Sequence, residues 1–156
     1  MANYWLMKTE PTTYSIDDLV AEPDQTTCWE GVRNYQARNL LRDEIKLGDH
    51  VLLYHSACKE PAVVGTAVVV RPGYPDSHAL DRRSKYHDPK SNSDDPRWIL
   101  VDVKFKRDLK RVLSLTEIKQ HADALGDFAL VRKGNRLSIM PVAEEQWDYL
   151  LGLERQ

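Results

Sequence analysis

Three aromatic residues, Trp29, Tyr35 and Tyr54, lie close along the chain to side chains that form hydrogen bonds. A nucleic-acid base held out of its stack needs flat aromatic surfaces to lie on and polar partners along its edge. Such partners could come from Arg33, Asn34, His55 and Ser56. For any one of these residues a place in the core or on the surface is the simpler interpretation. The residue types therefore indicate a pocket, but not yet a function.

An enzyme is the alternative interpretation of the same segments, with His55 and either Lys8 or Glu10 as acid and base in one cleft. The sequence contains no GxxxxGK[ST], GxGxxG, GxSxG or HExxH motif, and its five histidines do not share metal-ligand spacing. The two cysteines, Cys28 and Cys58, lack a CxxC pattern and are expected to be ordinary thiols. We therefore predict a protein that is not an enzyme and that holds no metal or cofactor.

The chain has 156 residues, of which 42% are apolar and 29% are charged. These values are typical of one globular domain, so we expect a single domain over residues 1–156. No apolar stretch approaches the roughly 20 residues that span a bilayer, and no secretory leader is evident. The prediction is a soluble protein of the cytoplasm, or of the nucleus if the source is eukaryotic, with no membrane contact.

The formal net charge of -2 means that any attraction to phosphate must come from a local basic surface. Two clusters are candidates, one in residues 82–85 and the other in residues 104–111. Neighbouring aspartates dilute both clusters, so unmodified duplex is expected to bind weakly. The predicted phosphate contacts are Arg82, Arg83, Lys85, Lys104, Lys106 and Arg107.

Local patterns predict short strands and short helices in alternation. β-branched and aromatic runs indicate strands at 4–9, 50–56, 63–71, 98–105 and 136–141. Helices are expected after Ser15, over 34–43, from 116 and over 143–151. Residues 75–96 are polar and predict a long loop. The fold class is therefore α+β, with a mixed or antiparallel β-barrel decorated by helices.

Five motifs in order along nearly the whole chain resemble the EVE domain family. They are YWLMKTEP at 4–11, WEGVRNYQARN at 29–39, YHS at 54–56, RPGYPD at 71–76 and RLSIMPV at 136–142. A short piece such as KTEP is a weak signal by itself. Five pieces in the right order, with WEGVRNYQARN among them, are highly specific.

The resemblance implies a PUA-like fold, a small mixed β-barrel of about five or six strands with peripheral short helices, related to the YTH and ASCH domains. It also implies a reader of a modified base, 5-methyl- or 5-hydroxymethylcytosine foremost, in DNA or RNA. We expect the protein to be a monomer. By the same resemblance the base-binding residues are Lys8, Trp29, Gly31, Val32, Arg33, Asn34, Tyr54, His55, Ser56, Ser138 and Met140. Protein partners are unknown, and a protein-interaction module using the polar loop is a further hypothesis.

Overall fold

The structure is a computed structural model that describes residues 2–29, 32, 34–76, 79, 81–90, 97–135 and 137–155. Within these residues six strands form one mixed sheet, in the order β2-β5-β4-β3-β1-β6. The strands are β1 (Tyr4–Thr9), β2 (Thr26–Cys28), β3 (His50–His55), β4 (Ala62–Pro75), β5 (Ile99–Ser114) and β6 (Ile139–Val142).

The helices of the described residues are short and lie between or after the strands. They are α1 (Ile16–Val20), α2 (Tyr35–Asp43), α3 (Leu115–Gln120), α4 (Ala122–Leu125) and α5 (Glu144–Leu153), with 3₁₀ turns at Pro23–Gln25 and Ala129–Val131. Ser15 begins α1 in a capping box, in which its side chain accepts from the backbone N–H of Asp18 and the Asp18 side chain accepts from the backbone N–H of Ser15. Local capping residues thus fix where α1 starts, as the sequence predicted.

β1 connects the two kinds of pairing in this sheet. It runs parallel to β3 and antiparallel to β6, and the other pairs among the described strands are antiparallel. The parallel pair requires a crossover, which contains α1, β2 and α2. The α+β class, the mixed sheet and the strand number are confirmed. The described strands do not close into a barrel, because β2 and β6 stand at opposite edges of the sheet.

Alternation along the central strands divides the core between the two faces of the sheet. Trp5 and Met7 of β1 pack with α1 and α2 on one face, whereas Leu6 packs with α3, α4 and α5 on the other. Successive side chains of a strand point to opposite faces, so this division follows from the period of two. β3 repeats the pattern, with Leu53 on the first face and Leu52 on the second.

The structure differs from the sequence predictions mainly in strand length. β5 continues to Ser114 and includes the basic run that was expected to follow the strand, because its register with β4 extends through Ser114 opposite Ala62. β2 was not predicted, since three residues carry too little alternation to be recognised. β6 begins at Ile139, three residues later than expected. α4 was also missed.

Candidate nucleic-acid interface

A cavity of about 140 Å³ opens where β1 and β2 end. We call it the β1–β2 cavity. Its lining combines one lysine from β1, one tryptophan after β2 and one tyrosine from the polar loop with several hydroxyl groups. The lining residues are Lys8, Thr9, Thr13, Tyr14, Thr27, Cys28, Trp29, Lys85 and Tyr86.

Backbone hydrogen bonds hold the end of β1 on both sides. The Lys8 N–H donates to the carbonyl oxygen of Ser138 at 2.8 Å, and the Ser56 N–H donates to the carbonyl oxygen of Thr9 at 2.9 Å. The Thr9 hydroxyl donates to the carbonyl oxygen of Tyr14 at 2.8 Å, which fixes the chain after β1 against the strand. The cavity wall is therefore rigid on the side of β1.

Lys8 places a partly buried ammonium group at this cavity. Among the described residues its Nζ forms no ion pair or hydrogen bond, and it lies 5.8 Å from the centre of the Tyr54 ring. Burial lowers the pKa of Lys8, because a desolvated ammonium loses hydration that no carboxylate replaces here. Lys8 thus offers an unsatisfied cation to whatever enters the cavity.

Trp29 forms part of both the core and the cavity. Its side chain is 7% exposed, and its backbone N–H donates to the carbonyl oxygen of Val101 at 2.8 Å. Val32 is equally buried and packs in the same part of the core, on the face of the sheet that carries α1 and α2. Trp29 therefore lies where the sequence predicted an aromatic wall, whereas Val32 is a core residue.

Tyr54 and Met140, two other predicted base-binding residues, are not in the cavity wall. They lie in the core on the face of the sheet that carries α3, α4 and α5. Their exposures are 2% and 0%, and burial raises the pKa of Tyr54 to about 12. Tyr54 has the same strand parity as Leu52, so the pleat directs it to the face of α3 and α5. It lines neither the cavity nor the groove, and its contact with the site is through Lys8, whose Nζ lies 5.8 Å from the centre of its ring.

His55 anchors α1. Its Nε2 accepts the backbone N–H of Ile16 at 3.1 Å, so this nitrogen carries no proton. Burial lowers the pKa of His55, and the nearby Asp17 carboxylate opposes that shift only in part. Nε2 is therefore engaged as the acceptor of the helix N–H and is not available to exchange protons with a substrate.

The remaining predicted base-binding residues lie along an open groove beside the cavity or outside the described residues. Ser56 and Ser138 line a part of the groove of about 460 Å³, which shares Lys8 and Tyr86 with the cavity. Asn34 lines a further part and caps α2, where its Oδ1 accepts from the Ala37 N–H at 3.0 Å. Gly31 and Arg33 lie outside the described residues.

The two predicted phosphate-binding clusters have different positions in the structure. Lys85 lines the cavity, and Arg82 and Arg83 are exposed on the same loop. Arg107 instead forms a bidentate pair with Glu154, at 2.8 and 2.7 Å, and Lys104 pairs with Asp24 at 3.2 Å. Lys106 is exposed. The lining of the cavity and the groove includes none of Lys104, Lys106 and Arg107. Glu154 thus engages the Arg107 guanidinium in this structure, and the phosphate contact of Arg107 stays a prediction.

Sequence patterns did not indicate Tyr86 or the hydroxyl-bearing residues of the cavity wall, which are Thr9, Thr13, Tyr14 and Thr27. Tyr86 lies in the polar loop, which has no periodic signal that would show which side chains turn inward. The Trp98 indole N–H donates to Asp88 of this loop at 2.6 Å. The Trp98 ring also stacks on the Tyr35 ring, with ring centroids 5.0 Å apart. Tyr35 therefore holds the loop that carries Tyr86, and is not itself a wall of the cavity.

The described part of the chain shows no candidate for a metal site or for a membrane-spanning helix. No three side chains among its histidine, cysteine, aspartate and glutamate residues are grouped as metal ligands. None of the helices there is long and apolar enough to span a bilayer.

The chain belongs to the EVE domain family, whose family model matches residues 3–153. Human thymocyte nuclear protein 1 is 42% identical over 172 residues, which cover 100% of this chain and 76% of the human protein. The mouse protein of the same name is 43% identical over 170 residues, covering 99% and 74%. The resemblance found in the sequence motifs is thus confirmed.

Solved structures match the fold over almost the whole chain. Human THYN1 in complex with 5-methylcytosine-containing DNA has a TM-score of 0.94 at 42% identity, covering 99% of both chains. A protein from Pseudomonas putida has a TM-score of 0.91 at 46% identity, covering 97% of this chain and 99% of its own. The expected EVE and PUA-like fold is therefore confirmed, with an open sheet.

Proposed function

We propose that this protein binds DNA carrying a modified cytosine and holds the modified base, flipped out of the duplex, in the β1–β2 cavity. The observation that carries the proposal is the desolvated Lys8 ammonium beside a ring-sized cavity with Trp29 and Tyr86 in its wall. The 5-methylcytosine-containing DNA bound to the similar human THYN1 protein supports the choice of ligand.

The cavity has the right size for a pyrimidine. Its volume is about 140 Å³, and an apolar cavity of about 150 Å³ in another protein is enough to hold a benzene ring. A purine, with two fused rings, needs more room. The cavity volume therefore suits a single pyrimidine ring such as that of cytosine.

The side chains of the wall suit a cytosine ring. Trp29 and Tyr86 supply aromatic surface, and stacking contributes about 1–3 kcal/mol per base. The Lys8 ammonium can donate to the cytosine carbonyl oxygen, and a hydrogen bond from a charged donor contributes about 1.5–3 kcal/mol. Together these contributions offset the few kcal/mol that extrusion of a paired base costs.

Recognition of the modification itself is expected to be modest. One methyl group in an apolar niche gives about 1–3 kcal/mol of discrimination. Extrusion and stacking are shared by modified and unmodified cytosine, so the preference between them must come from that niche. A preference of about tenfold is thus the expected scale.

Binding without catalysis is part of the proposal. His55, which was the candidate acid or base, accepts the Ile16 N–H and has a lowered pKa. The ligand of such a reader is nuclear DNA in a eukaryote or cytoplasmic DNA in a bacterium. A monomer is sufficient for this function, since the cavity wall comes from one chain.

The test is a titration of four matched duplexes that carry one central cytosine, 5-methylcytosine, 5-hydroxymethylcytosine or thymine. Fluorescence anisotropy at several salt concentrations should give tighter binding to one or both modified cytosines, by about tenfold. RNA of the same sequence is the comparison for sugar preference, and mass spectrometry of the recovered strands should show no chemical change. Equal affinity for all four duplexes would contradict base reading, and a changed base would support the enzyme instead.

A further inference from the structure

The groove beside the β1–β2 cavity continues to a turn formed by residues 132–135. One part of the groove shares Lys8, Thr9, Thr13 and Tyr86 with the cavity and reaches Leu137. Leu137 also belongs to a second part, of about 300 Å³. The lining of this second part, which we call the 132–135 groove, is Asn34, Gln36, Arg132, Lys133, Gly134, Asn135 and Leu137.

Asn135 holds this turn in one shape. Its side-chain amide donates to the carbonyl oxygen of Ala129 at 2.6 Å, and its Oδ1 accepts from the Leu137 N–H at 3.0 Å. Gly134 has φ +77°, a backbone conformation that other residues adopt only with strain. The turn is therefore pre-organised, so a ligand does not need to order it on binding.

The charges of the turn are available to a ligand. Lys133 is exposed and forms no ion pair with any described residue. Arg132 pairs with Asp127 at 2.9 Å, but both side chains are more than half exposed, so solvent weakens that pair. Arg107 on β5 differs, since it is held by the almost fully buried Glu154.

The position of the groove suggests what fills it. A base that occupies the β1–β2 cavity brings its own sugar and the two flanking phosphates to the cavity mouth, at Lys8, Thr13 and Tyr86. From there the strand must continue over the surface. The first part of the groove starts at the mouth, and Leu137 lines both this part and the 132–135 groove. Phosphate oxygens are satisfied by lysine ammonium groups and amide donors, and the 132–135 groove is lined by Lys133, Gln36 and Asn34.

We infer that the 132–135 groove binds the sugar-phosphate backbone next to the flipped nucleotide, with Lys133 contacting a phosphate. This inference rests on the proposed function, because the flipped base determines where the strand starts. It also assigns a phosphate contact outside both basic clusters that the sequence indicated. Lys133 acts through charge alone, so it contributes affinity and no base preference.

The experiment compares Lys133→Ala with Lys119→Ala, which changes an exposed lysine on α3 that lines neither the cavity nor the groove. Affinity for the cytosine and 5-methylcytosine duplexes is measured by anisotropy over a range of salt concentrations. Lys133→Ala should weaken binding to both duplexes equally, by about five- to tenfold at low salt, and reduce the slope of log affinity against log salt by about 0.9. Lys119→Ala should leave the slope at the wild-type value.

The outcomes separate this inference from the function on which it rests. If wild type prefers the modified duplex and Lys133→Ala keeps the wild-type slope, the groove is not the backbone site and base reading stands. If wild type shows no preference and the slope still falls, the groove binds backbone and base reading is wrong. If wild type binds neither duplex, both fail. Lys133→Glu should weaken binding further, and circular dichroism checks that both variants fold.

Discussion

Two regions of this protein treat a partly buried charge in opposite ways. At the β1–β2 cavity, the Lys8 ammonium is desolvated and has no carboxylate partner among the described residues. Between β5 and α5, each buried charge is paired. We call the second region the β5–α5 network, and define it by Arg107, Glu154, Arg111 and Glu117.

The β5–α5 network satisfies almost all of its hydrogen-bonding groups. Glu154 accepts two bonds from the Arg107 guanidinium and a third from the Lys110 N–H at 2.8 Å, and these contacts lower its pKa to about 2. Arg111 donates to Glu117 at 2.6 and 2.9 Å and to the carbonyl oxygen of Leu153 at 2.6 Å. The network fastens the last helix to the longest strand.

The presence or absence of a carboxylate partner distinguishes charges that stabilise the fold from charges that are available to a ligand. A buried charge with a complete set of partners contributes to folding, although its desolvation cost offsets part of the gain. A desolvated charge without partners weakens the fold and is retained where a ligand completes it. Variants in the two regions should therefore have opposite effects on stability and on binding.

The largest expected effect is on DNA affinity in Lys8→Met, which keeps the aliphatic stem and removes the charge. Affinity for the modified duplex should fall by roughly 10- to 100-fold, the range for a hydrogen bond from a charged donor. The free energy of unfolding should stay the same or rise, because the variant no longer buries an unpaired ammonium. Anisotropy and urea denaturation measure the two quantities.

The matched control for Lys8→Met is Lys119→Met, which changes an exposed lysine on α3. It should affect neither quantity. A Lys8→Met protein that binds as tightly as wild type would mean that Lys8 does not contact the ligand. A clear loss of stability would mean that the ammonium has a structural partner, and the contrast between the regions would not hold.

The next effect is on stability in Glu154→Gln. This variant loses the charge-assisted bonds to Arg107 and should lower the free energy of unfolding by about 2 kcal/mol. DNA affinity should not change, since Glu154 lies away from the cavity. Asp43→Asn, which breaks the exposed pair with Arg42, is the control and should change stability much less, because solvent screens that pair.

The pH dependence of stability gives a second test of Glu154. Its pKa is lowered in the folded protein, so the pair contributes fully above the ordinary glutamate pKa and its contribution is lost as pH falls toward about 2. Glu154→Gln should remove this part of the acid dependence. Identical acid denaturation profiles for the two proteins would contradict the strong pairing.

The smallest effect is the pH dependence of stability that His55 causes. Because burial lowers the pKa of His55, the folded protein binds this proton less readily than the unfolded chain does. Stability should therefore be highest above the ordinary histidine pKa and fall as pH decreases through it. Thermal denaturation between pH 5 and 8, the range in which histidine changes charge, measures the dependence.

His55→Gln is the variant that isolates this effect, since its amide oxygen can still accept the Ile16 N–H but does not titrate. Its stability should vary less with pH in the same range. If the stability of His55→Gln varies with pH as much as that of wild type, a group other than His55 causes the pH dependence. A loss of modified-base preference in His55→Gln would place His55 in the binding site and not at the helix anchor alone.

Sequence patterns predicted a large part of this architecture because the information is local. The strands β1 and β3 follow from aromatic and β-branched runs, and α1 follows from the Ser15 cap. The lengths of β4 and β5 were underestimated, because the register between Ala62 and Ser114 depends on pairing between distant segments. The sequence of residues 63–71 does not show that β4 pairs with β5 beyond these residues.

For the candidate site, the sequence indicated Lys8, Trp29, Ser56 and Ser138, and the structure brings all four to the cavity or its groove. The motifs that contain them lie at strand ends, where side chains can leave the core. Tyr54, also predicted, lies in the core instead, since a strand pattern shows which residues share a face but not which face carries the cleft.

The sequence by itself determined the fold class, the family and the chemical types at the site, because motifs and local propensities are carried by short segments. Only the tertiary structure decided which cations are free. Glu154 reaches Arg107 across 47 positions, and Tyr86 reaches the cavity from a loop without periodicity. Whether a charge is paired depends on which distant segments pack together, so the unpaired Lys8 ammonium could not be identified before the chain was folded.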